Sequence, residues 1–138
     1  MKGARILIIE DMPHIQLLVQ RVLSKHGYEV SIAPHGKVAL EILSCLDFDL
    51  ILLDLLMPVM NGPDFLENFK NHPKWGRSKI CIASAVNDLN KMQQTLDQGV
   101  DDYLIKAFDN ETLLAKVEEL LEGSGGEFAR VKGNLRGI

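Results

Sequence analysis

The feature that most constrains this chain is a regular alternation of short apolar segments with longer amphipathic segments. The short segments have strand-like patterns and lie at residues 5–10, 28–33, 49–54, 79–84 and 102–106. Apolar residues recur at helical spacing in residues 13–26, 36–46, 63–71, 88–98 and 110–122. Five strand–helix units in strict alternation predict an α/β fold, with a five-stranded parallel sheet, helices on both faces and right-handed crossovers.

The composition excludes several classes of protein. A chain of 138 residues suffices for one ordinary domain, and 46% hydrophobic residues suffice for a core. A net charge of -4 argues against a broad nucleic-acid-binding surface, and no apolar run has the length of a membrane span. The first residues, MKGARILIIED, lack the pattern of a secretory signal. We therefore expect a cytoplasmic protein that binds neither nucleic acid nor membranes directly.

Two further features bear on the organisation of the chain. Cys45 and Cys81 lie far apart in apolar surroundings without CxxC spacing, so we expect two buried free thiols. The last residues, GSGGEFARVKGNLRGI, begin with Gly and Ser and show no apolar period. We predict one domain at residues 4–122, followed at residues 123–138 by a disordered linker stub or an artificial tail.

Polar residues follow four of the five predicted strands. Glu10 and Asp11 end the first, Asp54 the third, Ser84 the fourth and Lys106 the fifth. In open parallel sheets, chemistry collects at the carboxyl ends of the strands, near the switch point in strand order. If the strands that carry them are neighbours, these side chains converge on one crevice.

The residue types in that crevice indicate a chemistry. Three close carboxylates repel one another, and a divalent cation relieves that repulsion. Oxygen donors without His or Cys favour Mg²⁺ or Mn²⁺ over Zn²⁺. Lys106 supplies a charge for a phosphoryl oxygen and Ser84 a hydrogen-bond donor, so Asp54 is a candidate phosphoryl acceptor. Two alternatives to a reactive site stay open. In one, the acids are unrelated loop residues and Lys106 is a solvated surface charge; in the other, the acids and Lys106 form ion pairs that only stabilise the fold.

At the same positions the sequence resembles a known family. The order Glu10-Asp11, then DLLMPVMNG from Asp54 to Gly62, then Ser84-Ala85, then GVDDYLIK ending at Lys106, is similar to the receiver domain of two-component response regulators. Single-domain, chemotaxis-type receivers are the nearest pattern, and the resemblance covers residues 4–121. It implies a doubly wound, flavodoxin-like sheet with strand order 2-1-3-4-5.

The resemblance also implies roles for the site residues. It makes Asp54 the phosphorylated aspartate. Ser84 would form a hydrogen bond to a phosphoryl oxygen after transfer, and Lys106 would form an ion pair with the phosphate. The implied ligands of Mg²⁺ are Asp11 directly, Glu10 mostly through water, Asp54, and the backbone carbonyl of Leu56. Tyr103 matches the aromatic switch position, which turns inward as the Ser84 region closes on the phosphate.

Three positions depart from the usual family pattern. Ala107 follows Lys106 where proline is common, so we expect either a trans bond with an altered loop or a cis bond held by its surroundings. Leu56 and Val86 are apolar at places where polar groups can guide an attacking water, which predicts slow self-dephosphorylation. Gly62, in contrast, matches the family pattern and is expected to permit a tight turn before the third helix.

The resulting interpretation is a signalling module. A histidine kinase or histidine phosphotransfer protein would phosphorylate Asp54, and an unidentified downstream protein would receive the signal; the domain would promote its own modification without being a turnover enzyme. A pseudo-receiver acting as an unphosphorylated scaffold is the main alternative. A haloacid dehalogenase-like phosphatase fits poorly, because its nucleophile follows the first strand. Nucleotide or flavin binding is also disfavoured, because no GxGxxG or Walker loop follows the first predicted strand.

Overall fold

The computed structural model describes residues 3–122 and contains every strand and helix that the sequence predicts, with ends that differ by a residue or two. The strands are β1 (Arg5–Ile9), β2 (Glu29–Ala33), β3 (Leu50–Leu53), β4 (Lys79–Ser84) and β5 (Asp102–Ile105). The helices are α1 (Pro13–Lys25), α2 (Gly36–Cys45), α3 (Gly62–Phe69), α4 (Leu89–Asp97) and α5 (Asn110–Glu122).

The strands form one parallel sheet in the order β2-β1-β3-β4-β5, which confirms the predicted fold class. The register decides what meets at the carboxyl edge. Ile9 lies opposite Leu53, so the residues that follow them leave neighbouring strands side by side. Because the chain order reverses between β1 and β3, this edge is the switch point of a doubly wound sheet.

Apolar residues on the two faces of the sheet belong to two separate cores. One core joins alternate residues of β1 and β3 to α2 and α3, and the other joins the intervening residues to α1 and α5. All four residues of β3 are buried, because this strand is covered on both faces. The central strands are therefore rigid supports for whatever follows them.

Several helix ends follow the rules that their residues suggest. Pro13 occupies the first turn of α1, where its missing N–H costs nothing. Gly27 and Gly99, with φ of 89° and 101°, follow the ends of α1 and α4. The Asp109 side chain accepts a hydrogen bond from the Thr112 N–H at 2.7 Å, as expected for a cap at the start of α5.

The predicted tail at residues 123–138 lies outside the described residues, so the predicted domain division stays a prediction. None of the helices in residues 3–122 has the length and hydrophobicity that a membrane span requires. The cytoplasmic location also stays a prediction.

The prediction for the cysteines is wrong in one case. Cys81 is buried in β4, but Cys45 is exposed. The buried stripe of α2 includes Ala39 and Leu43, one helical turn apart. Cys45 follows Leu43 by two residues, which places it on the opposite side of the helix. Apolar neighbours in sequence therefore did not imply burial at the helix end.

The two thiols should differ in reactivity. We expect a thiol reagent such as DTNB to modify Cys45 rapidly in the native protein and to leave Cys81 unmodified. Burial raises the pKa of Cys81, and the charge of Asp102 adds to this effect, so the reactive thiolate is disfavoured. The native Cys45→Ser variant should show no fast reaction with DTNB. Rapid modification of two thiols per native molecule would contradict the assignment.

Candidate functional site

Three carboxylates meet at the carboxyl edge of β1 and β3. Glu10, Asp11 and Asp54 each offer an oxygen, and these oxygens lie within 4.8 Å of one another. Glu10 is 3% exposed and Asp54 is 6% exposed, whereas Asp11 is half-buried. The cluster arises because Ile9 and Leu53 are register partners and the acids come directly after them. An oxygen-only donor set of this kind is able to hold a divalent cation.

Hydrogen bonds fix the position of Glu10. Its N–H donates to the Ala33 carbonyl at 3.0 Å. The Gln16 side-chain amide donates to the Glu10 carbonyl at 2.5 Å, and Glu10 Oε2 accepts from the Met12 N–H at 3.3 Å. Gln16 was not singled out in the sequence, since a glutamine in the second turn of a helix carries no distinctive signal. It secures the backbone that presents the acidic pair.

Asp54 is held by its own neighbours on the sheet and in the loop. Its N–H donates to the Ile9 carbonyl at 3.0 Å, which continues the β1–β3 pairing by one residue. Its Oδ1 accepts from the Leu56 N–H at 3.3 Å. The side chain of Leu56 is 63% exposed. The ligand role of the Leu56 carbonyl oxygen stays a prediction.

Lys106 reaches the carboxylates from β5. Its Nζ forms an ion pair with Glu10 Oε1 and lies 3.3 Å from Asp54 Oδ2. The Lys106 N–H donates to the Ser84 carbonyl at 2.9 Å, which anchors the backbone at the end of β4. The Lys106–Ala107 peptide bond is cis, one of the two conformations expected for this departure from the family pattern.

The electrostatics of this group have identifiable causes. Burial raises the pKa of Glu10, the Asp54 charge raises it further, and Lys106 opposes both. Burial alone would lower the pKa of Lys106, but its hydrogen bond to Glu10 and the nearby carboxylate charges outweigh burial and raise it. The lysine is therefore a stable cation, and it partly compensates buried negative charge.

Ser84 and Tyr103 form a second hydrogen-bonded group beside the acids. The Tyr103 hydroxyl donates to the Val86 carbonyl at 2.5 Å, and the fully buried Ser84 Oγ accepts from the Val86 N–H at 3.4 Å. Burial raises the pKa of Tyr103, against a smaller opposing effect of Ser84. Within residues 3–122, no hydrogen bond joins the Ser84 side chain to the three carboxylates, so its contact with a phosphoryl group stays a prediction.

Gly62 is needed for a reason other than the expected turn. It is the first residue of α3, and its φ is not in the left-handed region. A Cβ at Gly62 would lie 2.7 Å from the Asp54 carbonyl oxygen and 2.7 Å from Leu55 Cα. Glycine is therefore required because α3 begins against the backbone that carries Asp54. Sequence spacing gives no signal for such a close approach of two backbone segments.

Comparison with known proteins agrees with this architecture. Residues 6–118 match the response regulator receiver domain family. The chain therefore belongs to the family of response regulator receiver domains of two-component systems, which are signalling domains.

Relatives and solved structures show how far the similarity extends. The response regulator ArlR of Staphylococcus saprophyticus is 35% identical over 117 residues, which are 85% of this chain and 52% of ArlR. The structure of chemotaxis response regulator CheY4 of Vibrio cholerae is 30% identical with a TM-score of 0.81, covering 87% of this chain and 100% of CheY4. TrrA from Thermotoga maritima, solved in complex with Mg²⁺-BeF, is 30% identical with a TM-score of 0.74, covering 88% of this chain and 100% of TrrA. The chain spans about half the length of ArlR.

We predict that Gly62→Ala destabilises the fold. The added methyl must displace backbone rather than a flexible side chain, so the free energy of unfolding should fall by about 1–3 kcal/mol. Urea denaturation followed by circular dichroism measures the change. Glu67→Ala, at an exposed position of the same helix, is the control and should have little effect. Equal stabilities of the two variants would show that the close approach is unimportant.

Proposed function

We propose that Asp54 accepts a phosphoryl group in the presence of Mg²⁺ or Mn²⁺, from a histidine kinase or a histidine phosphotransfer protein. The observation that carries this proposal is the convergence of Asp54 with Glu10, Asp11 and Lys106 at one edge of the sheet. Family membership supports the same reaction. The domain promotes its own modification and does not turn over a substrate.

The donor set fits a hard divalent cation. Glu10, Asp11 and Asp54 supply only carboxylate oxygens, and these lie close enough to share one ion. The Mg²⁺ complex of TrrA supports this choice of metal. When bound, such a cation neutralises charge on the carboxylates and on the phosphoryl oxygens.

Asp54 and Lys106 have separate roles in the transfer of the phosphoryl group. An Asp54 carboxylate oxygen attacks phosphorus, the P–N bond to the donor histidine breaks, and its electron pair stays on the imidazole nitrogen, which takes up a proton. Lys106, 3.3 Å from Asp54 Oδ2, is placed to pair with a phosphoryl oxygen. Asp54 is itself only 6% exposed, so little water contacts the attacking carboxylate.

The signal would pass through the Ser84–Val86–Tyr103 group. After transfer, Ser84 would donate to a phosphoryl oxygen, and its movement would act on Val86, which Ser84 and Tyr103 both contact. Tyr103 is 9% exposed, so its ring is turned inward. Phosphorylation would shift an existing equilibrium toward this arrangement. A downstream protein, as yet unidentified, would recognise the shifted state.

Phosphorylation is directly testable. Incubation with acetyl phosphate and Mg²⁺ should add the mass of one phosphoryl group, measured by intact-protein mass spectrometry. Asp54→Asn, which keeps the size of the side chain, should not gain this mass, nor should the wild type with EDTA. A wild-type protein that binds Mg²⁺ without any mass gain would favour the pseudo-receiver scaffold instead.

Loss of the phosphoryl group should be slow. Leu56 and Val86 are apolar and offer no side-chain group to orient a hydrolytic water. We expect a half-life of minutes or longer for the phosphorylated wild type, and faster release from Leu56→Asn, followed by mass spectrometry after removal of acetyl phosphate. The exposed Leu56 side chain makes the substitution structurally mild. A wild-type half-life of seconds would contradict this expectation.

A further inference from the structure

We infer that a groove at the amino edge of the sheet, opposite the edge that carries Asp54, binds a small organic anion with a flat apolar ring. The groove has a volume of about 480 Å³ and lies between the loop after α3 and the end of α5. Among its lining residues are Trp75, Arg77, Ser78, Gly99, Asp101 and Leu121. Its volume is in the range of small-molecule sites. This second site does not depend on the proposed function.

The groove lies where several elements begin or end. Strands β4 and β5 begin at this edge, and α5 ends beside it. Residues 70–78 connect α3 to β4 through a series of turns. Gly76 lies in this loop with φ of 88°, and a Cβ built there would contact nothing within 4 Å. The loop therefore borders open space at the groove instead of packing against the core.

The indole of Trp75 provides an apolar wall. Its ring makes an edge-to-face contact with Phe69, with the ring centroids 5.5 Å apart. On its other neighbour, Trp75 Cζ2 would lie only 3.1 Å from a Cβ at Gly99, so the glycine leaves the space that the ring needs. Trp75 and Leu121 are both half-buried, so each keeps exposed surface beside the groove. A flat apolar group is able to pack against such a fixed aromatic ring.

Arg77 provides the group that would bind the anion. Its side chain is exposed and lines both this groove and a smaller one of about 250 Å³ beside it. Among the described residues, no hydrogen bond or ion pair engages its guanidinium. By contrast, Arg5 pairs with Glu29 and Lys74 with Asp47, each at 3.1 Å. A free guanidinium is suited to binding a carboxylate or a phosphate through two parallel hydrogen bonds.

The acidic residues of the groove are engaged by the protein's own backbone. Asp49 Oδ2 accepts from the Arg5 N–H at 2.8 Å, and Asp101 Oδ2 accepts from the Ile80 N–H at 2.8 Å. The lining contains two acidic and two basic residues, so it has no excess of negative charge to repel an anion. Because Arg77 is the charged group left for a ligand, the ligand that fits is an anion.

Nuclear magnetic resonance tests the inference directly, because Trp75 is the single tryptophan of the chain and gives one indole N–H signal. The probes are naphthoate, naphthyl phosphate and the neutral naphthamide, added to the full chain in the presence of EDTA. Naphthoate should shift the indole signal with a dissociation constant of about 1 mM or tighter. Naphthamide has a similar shape without the charge and should bind at least about fivefold more weakly. The affinity of naphthyl phosphate relative to naphthoate shows whether phosphate or carboxylate is preferred.

Matched variants test the role of the guanidinium. Arg77→Gln should weaken naphthoate binding at least about fivefold and remove the preference over naphthamide. Arg77→Lys keeps the charge but loses the planar fork, so its affinity should lie between those of Arg77→Gln and the wild type. Arg21→Gln removes an exposed arginine of α1 and should leave the affinity unchanged. Both positions are exposed, so the variants should keep the fold.

The outcomes decide the inference without involving phosphorylation. An indole signal that neither anion moves would overturn it, as would equal binding of naphthoate and naphthamide or full affinity in Arg77→Gln. None of these results bears on the proposed function at Asp54, since the titrations contain EDTA and no phosphoryl transfer takes place. A shift of the Trp75 signal that requires both the anionic group and Arg77 would support the inference.

Discussion

The compensation of negative charge at the carboxyl edge of the sheet is the constraint on which the rest of this site depends. Two of the three carboxylates, Glu10 and Asp54, are almost fully buried. Carboxylates at such positions are costly unless they are paired or hydrogen-bonded. The protein pairs them with Lys106 from β5 and with backbone N–H groups of the adjacent loops. Every element that carries these groups must therefore end at the same level of the sheet.

The two-sided sheet meets that requirement. Strands β1 and β3 lie next to each other and are buried on both faces, so their ends move little. The loops beyond them are held by close backbone packing, as at Gly62 against Asp54. Strands β4 and β5 then place Ser84 and Lys106 beside the acids through a shared backbone hydrogen bond. Reactive groups are thus on loops, while their positions are set by buried strands.

Prediction from the sequence was most successful where the physics is local. Each strand and helix has an apolar period that depends only on nearby residues, and caps such as Asp109 act within one turn. Strand order came from the resemblance to a family, because periodicity does not specify which strands are neighbours. The burial of Cys45 and the role of Gly62 were missed or misread. Cys45 lies on the side of α2 that faces away from the core. The role of Gly62 depends on how the loop after β3 brings the start of α3 back against Asp54 and Leu55.

The sequence by itself determined the alternation of elements and the kinds of side chain that close each strand, because both are written in short stretches of residues. Only the tertiary structure decided that Lys106 pairs with Glu10 as well as with Asp54, and that Tyr103 is bonded to the Val86 carbonyl. Lys106 and Glu10 are 96 positions apart, and both of its partners are carboxylates of the same charge. How Lys106 is positioned between these two carboxylates depends on strand register, burial and distances of a few ångströms, which are properties of the folded chain.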